Sequence, residues 1–305
     1  MEHLIAATRA GALAIAQTKS VIAMIKKVYP EVDVEIKTIT TSGDSDRRTA
    51  LWNLKDTGFF TSQLEDALFA KEADFAVHSF KDLPTQSRNG LQITAICDRN
   101  FVEDCLVSNL NVESIKQLPE GAKIGTSSLR RAAQVKHMRN DLQIVPIRGN
   151  VKTRIKKLEE GGYDAIILAR AGLERLGLGE KISFIFEPNE FVPAPAQGAL
   201  AIETRTDDEK TNKIIALINE KNAEKETTAE RKILSVLQCG CHAPVGVYAK
   251  ITGNLIRINT FISNPDGTNF IAKTKEGNAA DEENIAENLA KELLEAGGRE
   301  ILKGI

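Results

Sequence analysis

At 305 residues the chain exceeds the size at which a single hydrophobic core stops growing, so two or three domains are expected, each with its own core. A net charge of −2 with 27% charged residues argues against a nucleic-acid partner, because such domains carry a clear basic excess. Arg9 breaks the first apolar run and no later run is long enough to cross a bilayer, so neither a leader nor a membrane partner is expected and the compartment is read as cytoplasmic.

Strand-like residues 4–8 end at Arg9, and an alanine-rich helix follows over about 12–27 with Gln17 in its early turns. A strand over 32–41, a helix over 61–70 and a strand over 91–96 continue the alternation. Between the last two, strand-like 75–77 ends in His78-Ser79-Phe80-Lys81-Asp82. After the turn-like Asp98-Arg99-Asn100 the pattern begins again. Strand-like 122–124 leads through Gly125, Thr126, Ser127, Ser128, Leu129 and Arg130 to a helical pattern that starts at Arg131. Strand-like 142–147 ends in Arg148-Gly149-Asn150 ahead of a helix bearing Arg154, and strand-like 164–168 precedes Ala171-Gly172-Leu173-Glu174-Arg175. Pro193 and Pro195 interrupt any helix, and 198–203 reads as a strand returning to the first lobe, with the crossing chain as a hinge. Beyond about 221 a helix over 224–237, strands over 245–251, 255–263 and 270–275, and a helix over 281–295 describe an antiparallel meander with helices.

The stretch from Gly125 to Arg131 is an anion-binding element. A helix start exposes amides without intrahelical partners, and its dipole adds partial positive charge beside two guanidiniums. Polar residues gather at five strand ends, and in open α/β sheets ligands bind outside the carboxyl ends of the strands. Any one of these arginines taken alone reads more readily as a solvated helix face. The segment Cys239-Gly240-Cys241-His242-Ala243-Pro244 offers a loop thiol suited to nucleophilic attack or tethering, against the plainer reading of a packed cysteine. Four cysteines in so long a chain do not suggest a disulfide framework, and the segment lacks the second ligand pair of a zinc site, so no metal is expected.

The motifs AATR at 6–9, AVHSFKDLP at 76–84, GTSSLRR at 125–131, RGNV at 148–151, YDAIILARAGLERLG at 163–177, AQGALAIE at 196–203 and GCHAPVG at 240–246 cover essentially the whole chain. In these the chain resembles the porphobilinogen deaminase (hydroxymethylbilane synthase) family of haem biosynthesis. The resemblance implies an α/β fold of two periplasmic-binding-protein-like lobes with doubly wound mixed sheets, plus a C-terminal α+β domain with a small antiparallel sheet. The corresponding division is 1–98 with 199–218, then 103–192, then 221–305.

It further implies stepwise condensation of four porphobilinogens with loss of ammonia, on a dipyrromethane joined by a thioether to Cys241, and release of hydroxymethylbilane by a monomer. Cys239 stands where the family usually has glycine. Asp82 matches the catalytic carboxylate, and its competing reading is a turn cap before Pro84. Ser79, Lys81, Asp82, Thr126, Ser127, Ser128, Arg130, Arg131 and Arg148 match cofactor-binding positions; Arg9, Gln17, Phe60, Arg148, Arg154 and Arg175 match substrate-binding ones. Arg170 has no such match, and His78 reads as a structural strand-end residue. The 53–58 segment departs from the family's glycine- and lysine-rich pattern, with Thr57 at an expected lysine position.

Overall fold

The fold was obtained as a computed structural model that describes residues 2–40, 61–239 and 243–304. The sequence-predicted site residues Phe60 and Cys241, and the atypical 53–58 segment, lie outside the described residues. In chain order the first elements are β1 (Glu2–Arg9), α1 (Ala12–Val28), β2 (Val32–Ile39), α2 (Ser62–Phe69), β3 (Phe75–Ser79) and β4 (Leu91–Cys97). They are followed by β5 (Asp104–Ser108), β6 (Lys123–Gly125), α3 (Leu129–Met138), β7 (Gln143–Val145), α4 (Val151–Glu159), β8 (Ala165–Ala169), α5 (Arg170–Glu174) and β9 (Phe184–Ile185). The rest of the chain forms β10 (Leu200–Arg205), α6 (Glu209–Ala216), α7 (Lys221–Leu237), β11 (Val245–Thr252), β12 (Leu255–Ile262), β13 (Ile271–Asn278), α8 (Glu282–Leu293) and α9 (Arg299–Lys303).

The chain divides into two compact units. One holds the described residues up to Asn100 with Gly198–Glu224, the other Phe101–Gln197 with the residues from Lys225 onward. The first unit contains the sheet β2-β1-β3-β10-β4, in which β1, β2 and β3 run parallel and β10 runs antiparallel to both its neighbours. Val21 and Ile25 of α1 and Ile214 and Ile215 of α6 pack on one face, Leu64 and Leu68 of α2 on the other, which is the doubly wound arrangement that the resemblance implies. The strand read at 198–203 does join this sheet, as β10.

The second unit contains two sheets. The first, β7-β6-β8-β5-β9, repeats the strand plan of the other unit: three parallel strands, then an antiparallel one out of sequence order, here β5. Val135 of α3 belongs to the core on one face, and Ile155 and Leu158 of α4 to the core on the other. The strand expected at 142–147 shrinks to Gln143–Val145, consistent with Pro146 having no amide to donate to a ladder. The second sheet is the predicted antiparallel meander β11-β12-β13, whose core packs Ile233 and Leu237 of α7 and Leu289 and Leu293 of α8 against Val247 and Ile258.

β11 is an edge strand, and its outward amides are consumed within the unit. Val247 N–H donates to the Pro193 carbonyl at 3.1 Å, Ala249 N–H to Glu230 Oε1 at 2.7 Å and Ile251 N–H to Glu226 Oε1 at 2.8 Å. Glu230 also accepts the Ala196 amide at 2.6 Å, so one buried carboxylate ties the proline-rich segment to the third sheet. Gly246 makes this close approach sterically feasible: a Cβ there would lie 2.5 Å from the Phe261 ring and 2.7 Å from the Val192 carbonyl. Gly246→Ala is expected to lower thermal stability by about 1–3 kcal/mol through overpacking, read as a fall in Tm; an unchanged Tm contradicts the packing described.

Candidate functional site

The site is built where parallel strands end. In the second unit the carboxyl ends of β6, β7 and β8 share one edge, and the antiparallel β5 starts there, with Asp104 opposite Ala169. The Gly125–Arg131 element straddles the end of β6 and the start of α3. The helix begins at Leu129 rather than Arg131, because Ser128 is its N-cap and accepts the Arg131 amide at 3.4 Å. Thr126 Oγ1 accepts the Ser128 amide at 3.2 Å. The Ser127 hydroxyl donates to the Ile147 carbonyl at 2.8 Å and accepts its amide at 3.1 Å. These three hydroxyls therefore shape the turn and tie it to the residue before Arg148.

Arg130 and Arg131 are buried and share the fully buried Asp104. Arg130 Nη1 lies 2.7 Å from Asp104 Oδ2; Arg131 donates to Oδ1 through Nε at 3.0 Å and Nη2 at 2.7 Å. Gln197 Nε2 donates to the same Oδ1 at 2.9 Å. Each also donates to a backbone carbonyl, Arg130 to Val192 at 2.7 Å and Arg131 to Ile167 at 3.1 Å. Gln134 closes the arrangement by accepting the Val192 amide at 2.7 Å and donating to its carbonyl at 3.1 Å. Burial acts to raise the Asp104 carboxyl, but the two guanidiniums overcome it and hold the group well below the usual carboxylate range. Burial likewise pulls Arg130 below its ordinary value, against the opposing pull of Asp104.

Arg131, Arg148 and Arg154 form a positive cluster. Arg154, half-buried on the first turns of α4, is pushed down to about 10, first by burial and then by the charges of Arg131 and Arg148. Arg148 has a buried Nε without a hydrogen-bond partner among the described residues. The loop that presents it is closely held: Lys157 donates to the Arg148 carbonyl at 3.0 Å, Arg154 Nε to the Gly149 carbonyl at 2.7 Å, and Asn150 caps α4 by accepting the Thr153 amide at 2.9 Å. Gly149 has φ +116, a conformation L side chains rarely adopt, and a Cβ there would also strike Thr153 at 2.7 Å. A buried unpaired guanidinium N–H beside mutually repelling cations suits an anion bearing several carboxylates. Arg175 stands half-buried at the end of α5. Arg170 is occupied by Glu174 at 3.0 Å and Glu103 at 3.4 Å and stacks over Phe101, consistent with leaving it out of the site.

In the first unit, β1 ends at Arg9 and the neighbouring parallel β3 at Ser79, so both reach one sheet edge. Gln17 of α1 donates to the Ser79 hydroxyl at 2.8 Å. Residues Phe80–Asp82 form a 3₁₀ turn, secured by Phe80 N–H donating to the Ala199 carbonyl at 3.0 Å and by the buried side chains of Phe80 and Leu83. Lys81 is half-buried; Asp82 is exposed, and its carboxylate has no hydrogen-bond or ion-pair partner among the described residues. His78 is buried with its Nε2 3.1 Å from Glu203 Oε2. Cys239 is half-buried against the core of the third sheet, in keeping with the plainer reading of a packed cysteine. Sequence reasoning missed Asp104, Gln134, Gln197 and Glu203. The acidic pair Glu103-Asp104 ahead of the apolar run Cys105-Leu106-Val107 was the one local sign of Asp104.

The family models "Porphobilinogen deaminase, dipyromethane cofactor binding domain" and "Porphobilinogen deaminase, C-terminal domain" match residues 4–213 and 224–295. A porphobilinogen deaminase of Deinococcus radiodurans is 41% identical over 307 residues, covering 100% of this chain and 99% of that one. One of Natranaerobius thermophilus is 42% identical over 300 residues, covering 97% and 96%. Among solved structures, the methionine-binding protein MetQ overlaps 71% of this chain and 89% of its own at 13% identity and a TM-score of 0.45.

Asp104→Asn leaves two buried guanidiniums short of a charge partner and is expected to cost roughly 3–5 kcal/mol of stability, measured by denaturant or thermal unfolding. A carboxylate held below its unfolded value of about 3.9 adds stability above that pH and loses it as the pH falls through the folded value. The wild-type protein should therefore lose stability below about pH 4 more steeply than the variant. Parallel acid profiles for the two proteins contradict this.

Proposed function

The chain belongs to the porphobilinogen deaminase family, and on that premise we propose which of its residues carry the family's reaction. The activity is that of a hydroxymethylbilane synthase, a transferase that condenses four porphobilinogens with release of ammonia and hydrolyses the linear product away. The observation that carries the site assignment is the Arg131–Arg148–Arg154 cluster. Each porphobilinogen bears an acetate and a propionate, so the growing chain is a polyanion, and guanidiniums bind carboxylates bidentately.

The cofactor of the family is a dipyrromethane. The donors named above fit its carboxylates. Arg131 and Arg148 hold it with Arg130 behind them; Thr126, Ser127 and Ser128 shape the end of β6, Ser79 and Lys81 stand at the end of β3, and all five are assigned to it with Cys241 as its attachment point. When bound, it supplies the pyrrole terminus to which each substrate unit is joined. Arg9, Gln17, Arg154 and Arg175 receive substrate carboxylates, and Phe60 contributes a ring. Asp82 is the catalytic group. As the C–N bond breaks and ammonia leaves, positive charge develops on the substrate pyrrole, and an ionised carboxylate close by stabilises it before the new C–C bond forms. The exposed, unpaired state of the Asp82 carboxylate among the described residues suits that role better than a turn cap does.

The three-domain division at 1–98 with 199–218, 103–192 and 221–305 is proposed on the three sheets and their separate cores. The absence of nucleic-acid partners is proposed from the near-neutral charge, and a cytoplasmic monomer is proposed from membership of the family. No described helix is long and apolar enough to cross a membrane.

Asp82→Asn should keep fold and cofactor content but lower kcat on the order of a hundredfold or more, as for loss of a preorganised electrostatic group. Near-normal turnover would move the catalytic role elsewhere. The purified protein should be heavier than its sequence by one dipyrromethane, with the added mass on the Cys241 peptide and resistant to thiol reductants. Cys241→Ser should abolish both adduct and ammonia release, and Cys239→Ala should preserve both. An adduct that follows Cys239, or turnover at the bare sequence mass, overturns the attachment.

A further inference from the structure

Among the described residues of the first unit, the one buried acid–imidazole pair outside the residues assigned above joins His78, on the strand that leads to Asp82, to Glu203. His78 and Glu203 have side-chain exposures of 5% and 2% and meet at 3.1 Å between Nε2 and Oε2. In the antiparallel β3–β10 ladder His78 stands opposite Ala201, and Glu203 opposite Ala76, so the two side chains are diagonal neighbours on one face of the sheet. Ala76 belongs to the core shared with Leu64 and Leu68, which places the pair on the α2 side. With Glu203 ionised, a carboxylate only accepts, so Nε2 carries the hydrogen and donates.

The other charged groups on that face have partners of their own. Glu65 bonds Arg88 at 3.2 Å, and Arg205 is bound to the Leu68 carbonyl at 2.9 Å and to Asp208 at 2.6 Å. Among the described residues His78 and Glu203 have no further side-chain partner. The register of β10 against β4 also shifts between Ile202 and Glu203, where β4 carries the extra residue Thr94.

Stability alone does not call for such a pair. Replacing a buried ion pair by well-packed apolar side chains is often neutral or stabilising. What the pair does supply is register. A one-residue slip of β3 against β10 would turn His78 to the face opposite Glu203. The same register places Leu200 opposite Ser79 and brings the Ala199 carbonyl to the Phe80 amide at 3.0 Å, the bond from which the Phe80–Asp82 turn starts. Asp82 has no side-chain partner to hold it, so its position follows from this backbone.

We propose that His78 and Glu203 are positioning residues for Asp82, locking the end of β3 to β10 so that the catalytic carboxylate is delivered to a fixed point. The proposal rests on the assignment of Asp82 as the catalytic group. A displacement on the order of 1 Å at a reacting centre costs up to about a hundredfold in rate, so the pair acts on kcat.

The test is a double-mutant cycle in the cofactor-loaded enzyme. The apolar pair His78→Leu with Glu203→Leu is expected to keep dipyrromethane content, and KM within about twofold, while kcat falls at least about tenfold. Glu203→Gln, which still accepts from Nε2–H, should recover kcat to within about threefold of wild type. In an Asp82→Asn background the apolar pair should cost less than about threefold more, because the group it positions has lost its charge. If the apolar pair does not fold, His78→Asn, which is too short to reach Glu203, is read in its place. The proposal is overturned if folded, loaded protein lacking the pair keeps kcat within about twofold, or if its full cost persists in the Asp82→Asn background. Asp82→Asn measured alone reports separately on the catalytic assignment. If that variant turns over normally the assignment falls, whereas an impaired Asp82→Asn beside an unimpaired pair variant removes only the positioning role.

Discussion

Two guanidiniums share one buried carboxylate, and much of the second unit is organised around that imbalance. Asp104 neutralises one of Arg130 and Arg131 and leaves a net positive charge in the interior. An isolated buried charge is costly, so each remaining donor must be placed, and the chain does this with main-chain carbonyls at Ile167 and Val192. The Val192 carbonyl is in turn the atom that a side chain at Gly246 would strike, and the neighbouring Pro193 carbonyl accepts from β11. The third sheet thus packs against the segment that fixes the arginines, and the start of α3 cannot move independently of it.

The surplus charge has a chemical use. Arg131 lies electrostatically close enough to Arg154 to help depress it, and Arg148 does the same from a loop held by Lys157 and Asn150. Arg148 and Arg154, which among the described residues are held by backbone and packing rather than by acidic neighbours, bind an incoming polycarboxylate without first breaking an existing ion pair. The first unit solves the opposite problem. There a single carboxylate, Asp82, is left exposed, and its placement depends on the turn after β3 and on strand pairing. A carboxylate that is to stabilise a transient cation gains nothing from a permanent salt bridge, since an interaction satisfied in the ground state does not accelerate the step.

What was legible in the sequence was local. The Gly125–Arg131 element, the polar clusters at strand ends and the three-strand meander all follow from patterns within a dozen residues, and all are found close to where they were expected. The long-range members were not legible. Asp104 meets Arg131 across 27 residues, Gln197 meets Asp104 across 93, and Glu203 meets His78 across 125. No periodicity announces such partners, because the pairing is created by β5 and β10 entering their sheets antiparallel and out of order. The helix-start reading of Arg130 and Arg131 saw donors for a ligand. Burial and the bonds to Asp104, Ile167 and Val192 show that much of their hydrogen bonding is spent on the protein itself, which shifts the weight of anion recognition toward Arg148 and Arg154.

The central claim is that this cluster carries repulsion which Asp104 offsets only in part and the cofactor's carboxylates offset further, and thermal denaturation of Arg154→Met with and without cofactor tests it most directly. In protein kept free of cofactor by Cys241→Ser, the substitution should leave Tm unchanged or raise it, since one of three repelling cations is gone. In cofactor-bearing protein the same substitution should lower Tm, because a carboxylate loses its partner. An equal loss of Tm in both forms would contradict the account.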